Sequence, residues 1–277
     1  MALSLMYITN SPEVALIAEE NGVDRIWIDL ETLGKEERQK NMNTVKSHHT
    51  VDDVRKVSRV LTKSEMMVRI NPWNENSLKE IEDVIDAGAQ RIMLPMWKSV
   101  DEVDRFLNAV NGRVKTTLLL ETKEGEECLD EIIKHPRIDE IHIGLNDLHL
   151  SYGLTFMFEL LANGTVERIC NKLKAAGIRY GFGGIARIGE GTLPADYIVV
   201  EHKRLGSSAV ILSRTFCNTE EIKDMDTIRR VFAENVKKLR DFEKEIEDYD
   251  SNKYKEITLM VKECTAKVVN IIKEKRK

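Results

Sequence analysis

The chain has 277 residues, 42% of them hydrophobic and 32% charged, with a formal net charge of −5. That length suits one large domain with a substantial core, and the slightly acidic balance excludes the basic footprint of a nucleic-acid or acidic-membrane binder. No apolar run approaches the roughly 20 residues that span a bilayer, and the start of the chain lacks the basic segment and cleavage site of a signal peptide, so a cytoplasmic protein is expected.

Short apolar runs alternate with amphipathic stretches along the whole chain. The first run, residues 3–8, is followed by Asn10-Ser11-Pro12-Glu13, a helix start with a capping side chain, a proline and an acid near the dipole. The second run, 25–30, leads into a long polar connection, residues 31–50, that ends with His48 and His49. Runs at 67–70 and 91–96 follow, the latter preceded by the helix stop Ala87-Gly88-Ala89 and followed by Ser99-Val100-Asp101-Glu102, which has the form of a capping box. The remaining runs are 115–120, 140–144, 180–184 (after the stop Ala176-Gly177) and 209–212. Continuous apolar strands separated by helices predict a parallel sheet covered on its outer faces. Eight such units predict the α/β class and a closed (β/α)8 TIM barrel over residues 1–249. A doubly wound open sheet is the alternative, without a dinucleotide fingerprint to support it. An extra C-terminal helix is expected over residues 250–277, where Ile257, Val261, Cys264, Val268 and Ile271 form an apolar seam. That seam can dock on its own barrel or on a neighbouring subunit. Cys128, Cys170, Cys217 and Cys264 are widely spaced, form no zinc pattern and are expected as reduced thiols.

Chemistry in such a barrel sits at the carboxyl ends of the strands. Strand two ends in Asp29-Leu30-Glu31, strand three holds Arg69, strand five ends in Glu121 and strand six in Gly144-Leu145-Asn146-Asp147. Strand seven runs into Gly183-Gly184 and Arg187, and strand eight into Ser213-Arg214. Glu121 and Asp147 offer two hard oxygen ligands, a set that suits Mg²⁺ or Mn²⁺ with other positions left to water and substrate. Taken singly, each acid can equally cap the helix that follows it. Arg69 lies within an apolar strand and must face a partner: a substrate carboxylate, a developing enolate oxygen, or Asp29 and Glu31 in an ion pair. Gly183 and Gly184 with Arg187 can form an anion site or simply a tight turn. His142 reads as a packed residue of strand six, His149 as a residue able to face the cleft, and His48 and His49 as part of a lid over the mouth. None is singled out as the general base.

The stretches Ile28-Asp29-Leu30-Glu31, Val68-Arg69-Ile70-Asn71-Pro72, Gly88 to Pro95-Met96, Leu120-Glu121-Thr122 and Gly144-Leu145-Asn146-Asp147-Leu148 together resemble the HpcH/HpaI aldolase and citrate lyase β-subunit family. The similarity runs from about residue 23 to residue 216. The resemblance implies a (β/α)8 barrel that binds Mg²⁺ or Mn²⁺ and makes or breaks carbon–carbon bonds through an enolate. It implies Glu121 and Asp147 as metal ligands and Arg69 as a substrate-binding residue; Asp29 and Glu31 are expected to orient Arg69 or a metal-bound water. It also implies assembly into trimers or hexamers. Two positions depart from the family's aldolases: Thr32 stands where their catalytic histidine follows the strand-two acid, and Leu119 where they carry a glutamine. Asp86 corresponds to the acid that pairs with that histidine.

The expected function is a divalent-metal-dependent, aldolase-type carbon–carbon lyase acting on a small anionic oxo acid or acyl substrate. Its catalytic residues are Arg69, Asp29 and Glu31, and its substrate-binding residues are Arg69, Gly144, Asn146, Gly183 and Gly184. The rival is a non-catalytic or differently reacting metal- and anion-binding barrel of the same family, motivated by Thr32 and Leu119.

Overall fold

Strands that are buried on both faces need backbone partners on both edges, and here they find them by closing on themselves. The computed structural model describes residues 2–34 and 48–275. In it β1 (Ser4–Ile8), β2 (Arg25–Asp29), β3 (Glu65–Arg69), β4 (Arg91–Leu94), β5 (Lys115–Leu120), β6 (Glu140–Ile143), β7 (Arg179–Ile185) and β8 (Ala209–Leu212) form a closed barrel in chain order. Every pairing is parallel, and β8 returns to β1 with Ala209 opposite Ser4. One irregularity interrupts the ladder: the register between β7 and β8 shifts between Gly181 and Gly184.

Around the barrel run α1 (Pro12–Glu20), α2 (Val51–Ser58), α3 (Ser77–Asp86), α4 (Val100–Val110), α5 (Lys123–Glu127) and α6 (Leu129–Ile132). They are followed by α7 (Leu145–Ser151), α8 (Glu159–Ala162), α9 (Thr165–Ala175), α10 (Ala195–Leu205), α11 (Met225–Glu245) and α12 (Ser251–Lys275). The helix signals act as expected at α1, where Ser11 Oγ accepts from the Val14 N–H. They act again beyond α3, where Gly88 takes a φ of 104° that favours glycine. At α4 only half of the expected box forms. Ser99 Oγ accepts from the Glu102 N–H, while the Glu102 carboxylate turns to the Lys98 N–H at 2.6 Å. Thr50 and Asp53 close a complete capping box at the start of α2.

The barrel interior is layered. At its amino-terminal end four charged side chains pair: Arg25 with Glu140 and Glu65, and Arg91 with Glu65. Above them Met6, Trp27, Met67, Met93, Leu119 and Ala209 fill the middle. Alternate residues such as Ile26, Val68, Ile92, Leu118 and Ile141 face outward into the helix layer. Burying each such side chain contributes about 1.5–3 kcal/mol. The carboxyl end of the barrel, above the apolar layer, is left for a cavity.

The last helix docks on its own barrel, against α10 and α8. Its buried line is Ile257, Val261, Thr265 and Val269, whereas Ile271 is 51% exposed. The apolar seam expected from the sequence is thus correct in its first two positions and rotated by one residue thereafter. Among the described residues no helix is long and apolar enough to cross a membrane. All four cysteines are free thiols.

Candidate active site

A cavity of about 490 Å³ opens at the carboxyl ends of the strands. Its walls include Asp29, Arg69, Glu121, Gly144, Asn146, Asp147, Gly183 and Gly184, so eight of the nine residues expected from strand position meet there. The ninth, Glu31, stands behind Arg69, with its Oε2 3.3 Å from Nη2. Most of these side chains share one origin: they occupy the last residue of an inward-facing strand or the turn just after it.

Arg69 is the organising cation. Its Nε and Nη2 each donate to Asp29 at 2.8 Å, a two-point pair between neighbouring strands that the β2–β3 register sets directly opposite. The guanidinium also lies 5.0 Å from the centre of the Trp27 ring. Burial works against its charge, but Asp29 and Glu31, with help from Glu121, outweigh that and raise its pKa. Among the described residues the bonds that hold Arg69 leave Nη1 unused, so two N–H groups remain for a ligand. Asn71 has a different duty. Its Oδ1 accepts from the N–H groups of Thr32 and Leu33, and its Nδ2 donates to Glu80, which clamps the chain as it leaves β2. Thr32 is therefore a loop anchor.

Glu121 is 3% exposed and sits just past β5. Burial and the nearby carboxylates of Asp147 and Glu31 push its pKa well above the usual carboxylate range, against the pull of Arg69 and the Met96 N–H. That N–H donates to Glu121 Oε1 at 3.0 Å. The other oxygen faces Gly144, where a Cβ would come within 2.9 Å of Oε2. Asp147 reaches the same wall from the first turn of α7. Asp29, Glu31 and Glu121 thus act on Arg69, and Asp147 adds a fourth carboxylate beside Glu121. A further positive charge fits this surplus of hard oxygen donors. Among the described residues no group of three His, Cys, Asp or Glu side chains is arranged around a metal position. Glu121 and Asp147 alone are a sufficient protein contribution for Mg²⁺, which commonly keeps waters and substrate oxygens in its remaining positions.

The opposite wall is polar without being acidic throughout: Thr9, Asn10, Ser213, Arg214, Asn218 and Thr219 line it. Arg187 does not join the cavity. Its Nε donates to the Phe216 carbonyl at 2.8 Å and its Nη1 lies 3.7 Å from Glu190. Gly183 and Gly184 still line the wall, and Gly183 has a φ of 53° where a Cβ would meet Leu145 at 2.8 Å. The left-handed backbone and the close Leu145 side chain both require glycine there.

The histidines separate clearly. His149 is buried and its Nδ1 bonds the Leu145 carbonyl, away from the cavity. His142 is fully buried at the cavity floor, with Nε2 donating to the Gly183 carbonyl at 3.1 Å. Desolvation depresses its pKa to about 4. His48 and His49 both line the mouth, as expected of that segment; residues 35–47 of the connection lie outside the described residues. Two contributors had no sequence signal. The Met96 N–H is a backbone donor, and the approach of His49 to β2 depends on how a long connection returns.

The HpcH/HpaI aldolase/citrate lyase family model matches residues 3–182. No match was found among curated proteins. Among solved structures, the HpcH/HpaI aldolase from Desulfitobacterium hafniense DCB-2 is 15% identical with a TM-score of 0.59, covering 82% of this chain and 93% of that one. Citrate synthase SbnG is 17% identical with a TM-score of 0.58, covering 83% and 94%. A chain of tryptophan synthase from M. tuberculosis is 14% identical, also with a TM-score of 0.58, covering 85% and 91%. At such identities the structural likeness speaks for the fold alone, since chains named for different reactions score alike. The family follows from the sequence match, which runs from β1 into the first half of β7 and includes Asp29, Arg69, Glu121 and Asp147: the chain belongs to the HpcH/HpaI aldolase/citrate lyase family.

Proposed function

We propose that the protein is a divalent-metal-dependent carbon–carbon lyase that works through an enolate of a small oxo acid or acyl substrate. The observation that carries this reading is the pairing of buried Glu121 with Asp147 beside Arg69, a site rich in hard oxygen donors and short of positive charge. Glu121 and Asp147 would hold Mg²⁺ or Mn²⁺. The chemistry such a cation supplies is polarisation of a substrate carbonyl and neutralisation of the charge that develops on its oxygen.

The chain's own residues do the rest. Arg69 presents Nη1 to a substrate carboxylate or developing oxyanion, and Asp29, Glu31 and Trp27 fix its direction. A donor positioned this way before reaction contributes about 2.7–4 kcal/mol to an oxyanion-forming step. Gly144 leaves room for Glu121 Oε2 and for a substrate carboxylate alongside. Asn146 adds an amide at the same wall. Leu119 and Trp27 form an apolar floor that suits the methyl or methylene end of an oxo acid.

The test is aldol cleavage and condensation with pyruvate and a panel of aldehydes, with and without chelator. Glu121→Ala and Asp147→Ala should each abolish turnover, as should removal of the cation. Turnover that survives both substitutions and chelation would overturn the reading. A second reading, a metal- and anion-binding barrel without turnover, is favoured by one observation: Thr32 anchors a loop. It predicts cation-dependent oxalate binding with no reaction on any oxo acid.

A further inference from the structure

We infer that Glu126, Ser151 and Tyr152 are positioning residues of the candidate site: the bonds they make hold α7, and with it Asp147, in a fixed place relative to Glu121. The inference rests on the lyase reading and deepens its cation site. It assigns to these residues the preference of the site for a small, strictly octahedral cation such as Mg²⁺ over a larger one such as Ca²⁺.

The two carboxylates belong to different strand–helix units. Glu121 stands just before Thr122, the N-cap of α5, and Asp147 lies in the first turn of α7. Helices this short have little stability of their own, so tertiary contacts decide where they sit. α5 is anchored at its start. Thr122 Oγ1 accepts from the Gly125 N–H at 3.0 Å and donates to the Trp97 carbonyl at 2.7 Å. Trp97 directly follows Met96, whose N–H holds Glu121. α7 starts without such an anchor, because Gly144 precedes it and offers no capping side chain. Its His149 ring bonds the Leu145 carbonyl of the same helix. Leu145 and Leu148 are buried and press α7 onto its surroundings, but apolar contact is not directional.

Direction comes from the far end of α7, where two bonds run to α5. Tyr152, the C-cap of α7, donates its O–H to Glu126 Oε2. Ser151 Oγ accepts from the Lys123 N–H at 2.9 Å. Lys123 is the first residue of α5, and a first-turn N–H has no partner within its own helix. The end of one helix thus closes the beginning of the other. Glu126 is 6% exposed, and its Oε1 accepts from Arg168 of α9. Its carboxylate cannot turn from Tyr152 without disturbing that ion pair. Burial, together with the bond to Glu126, pushes the Tyr152 hydroxyl up to about 12, so it remains a donor at any working pH. An unbroken series of bonds therefore leads from the Trp97 carbonyl through α5 to the end of the helix that carries Asp147. Mg²⁺ demands near-ideal octahedral geometry, whereas Ca²⁺ accepts flexible arrangements. Loosening α7 costs the smaller cation more.

The test titrates the full-length, metal-stripped protein with Mg²⁺ and with Ca²⁺ by calorimetry, a readout that needs no turnover. Tyr152→Phe keeps the ring and removes only the O–H. It should weaken Mg²⁺ binding about tenfold and Ca²⁺ binding much less. Tyr180→Phe is the matched control. Its O–H donates to the Leu205 carbonyl at 2.6 Å, at the start of β7 and away from the cavity, so its loss should leave both affinities unchanged. Ser151→Ala, at an exposed residue, removes the second bond and should shift the Mg²⁺-to-Ca²⁺ ratio in the same direction. Circular dichroism checks folding, and Ser151→Ala decides the matter should Tyr152→Phe fail to fold. A parental ratio in both variants, with Glu121→Ala no longer binding Mg²⁺, would overturn the inference and leave the cation site standing. Equal loss of both cations, or the same loss in Tyr180→Phe, would also overturn it, because a general loss of stability would then account for the effect. Mg²⁺ binding that survives both Glu121→Ala and Asp147→Ala would remove the cation site, and the inference with it.

Discussion

The backbone N–H of Met96 donates to Glu121 Oε1 at 3.0 Å, and Met96 delivers it with a φ of 54°. A left-handed backbone at a residue with a Cβ costs roughly 1–2 kcal/mol. It persists here because the N–H answers a buried carboxylate. Met96→Val puts a β-branched side chain at that φ and should lower stability by about 1–3 kcal/mol while reducing kcat. Met96→Asn, which tolerates a left-handed backbone, should stay close to the parent in both. Chemical denaturation and initial rates measure the pair; a Val variant as stable and active as the parent would show that the strain is not tied to Glu121.

Two glycines with tight surroundings should fail in different ways. At Gly144 a Cβ would come within 2.9 Å of Oε2 of Glu121, which can swing away, and of Glu121 Cβ, which moves only with its backbone. At Gly181 it would stand 2.3 Å from the Ala209 carbonyl oxygen, part of the β7–β8 backbone. Gly144→Ala should therefore lose some stability, less than the change at Gly181, and lose cation-dependent turnover by at least tenfold, because Glu121 must turn away and its backbone must yield. Gly181→Ala should lose stability or fail to fold. Melting curves and activity assays on both variants distinguish the two, and full activity in Gly144→Ala would break the link drawn between that glycine and the acid.

Arg25 and Glu140 meet in a two-point ion pair inside the barrel, at 2.5 and 2.9 Å, from strands four places apart. Burial penalises both charges, yet their mutual bonding keeps Arg25 protonated and holds Glu140 below its ordinary pKa. Removing one partner leaves the other buried alone. Glu140→Gln should destabilise the fold by about 3–5 kcal/mol, and Arg25→Met combined with Glu140→Leu should recover part of that loss. Activity per folded molecule should hold in each variant, since the pair lies at the end of the barrel opposite the cavity. A Glu140→Gln variant with parental stability would show that the pair is neutral to folding.

The barrel was legible because a parallel strand covered on both sides reads as an unbroken apolar run, as residues 115–120 and 209–212 do. The polar interior was not legible for the same reason in reverse. Glu65 opens β3 and pairs inward with Arg25 and Arg91, but an apolar criterion starts that strand at Met67. On α12 the criterion chose Cys264 and Val268, which are only partly buried, and missed Thr265 and Val269, which are buried; a threonine on a buried face looks like a solvent residue. The acidic site was visible because side chains at strand ends converge by topology. The Met96 N–H and the bond between Asp29 and His49 were not, because both depend on backbone direction across a loop.

His142 gives the fold a pH dependence that differs from that of the carboxylates. Burial pushes its pKa from 6.5 down to about 4, against the attraction of Glu140 and its bond to Gly183. In the unfolded chain the same ring titrates near its ordinary value, about 6.5. Below that value the unfolded state takes up a proton that the folded state refuses, so stability is full above pH ~6.5 and falls as the pH drops toward ~4. The gap corresponds to about 3 kcal/mol. Buried His202, whose pKa is lowered by desolvation and by His142, acts in the same direction. Glu140 acts in another window: its depressed pKa keeps its contribution whole above the normal glutamate range and loses it only in stronger acid. Glu121 opposes the histidines, since its raised pKa favours the folded state as the pH falls; where the two buried histidines outweigh it, urea midpoints between pH 7.5 and 4 should decline before the carboxylates of depressed pKa titrate. His142→Gln, which keeps a donor for the Gly183 carbonyl, should flatten that decline without removing the acid transition at lower pH. An unchanged slope in the variant would assign the decline to other groups.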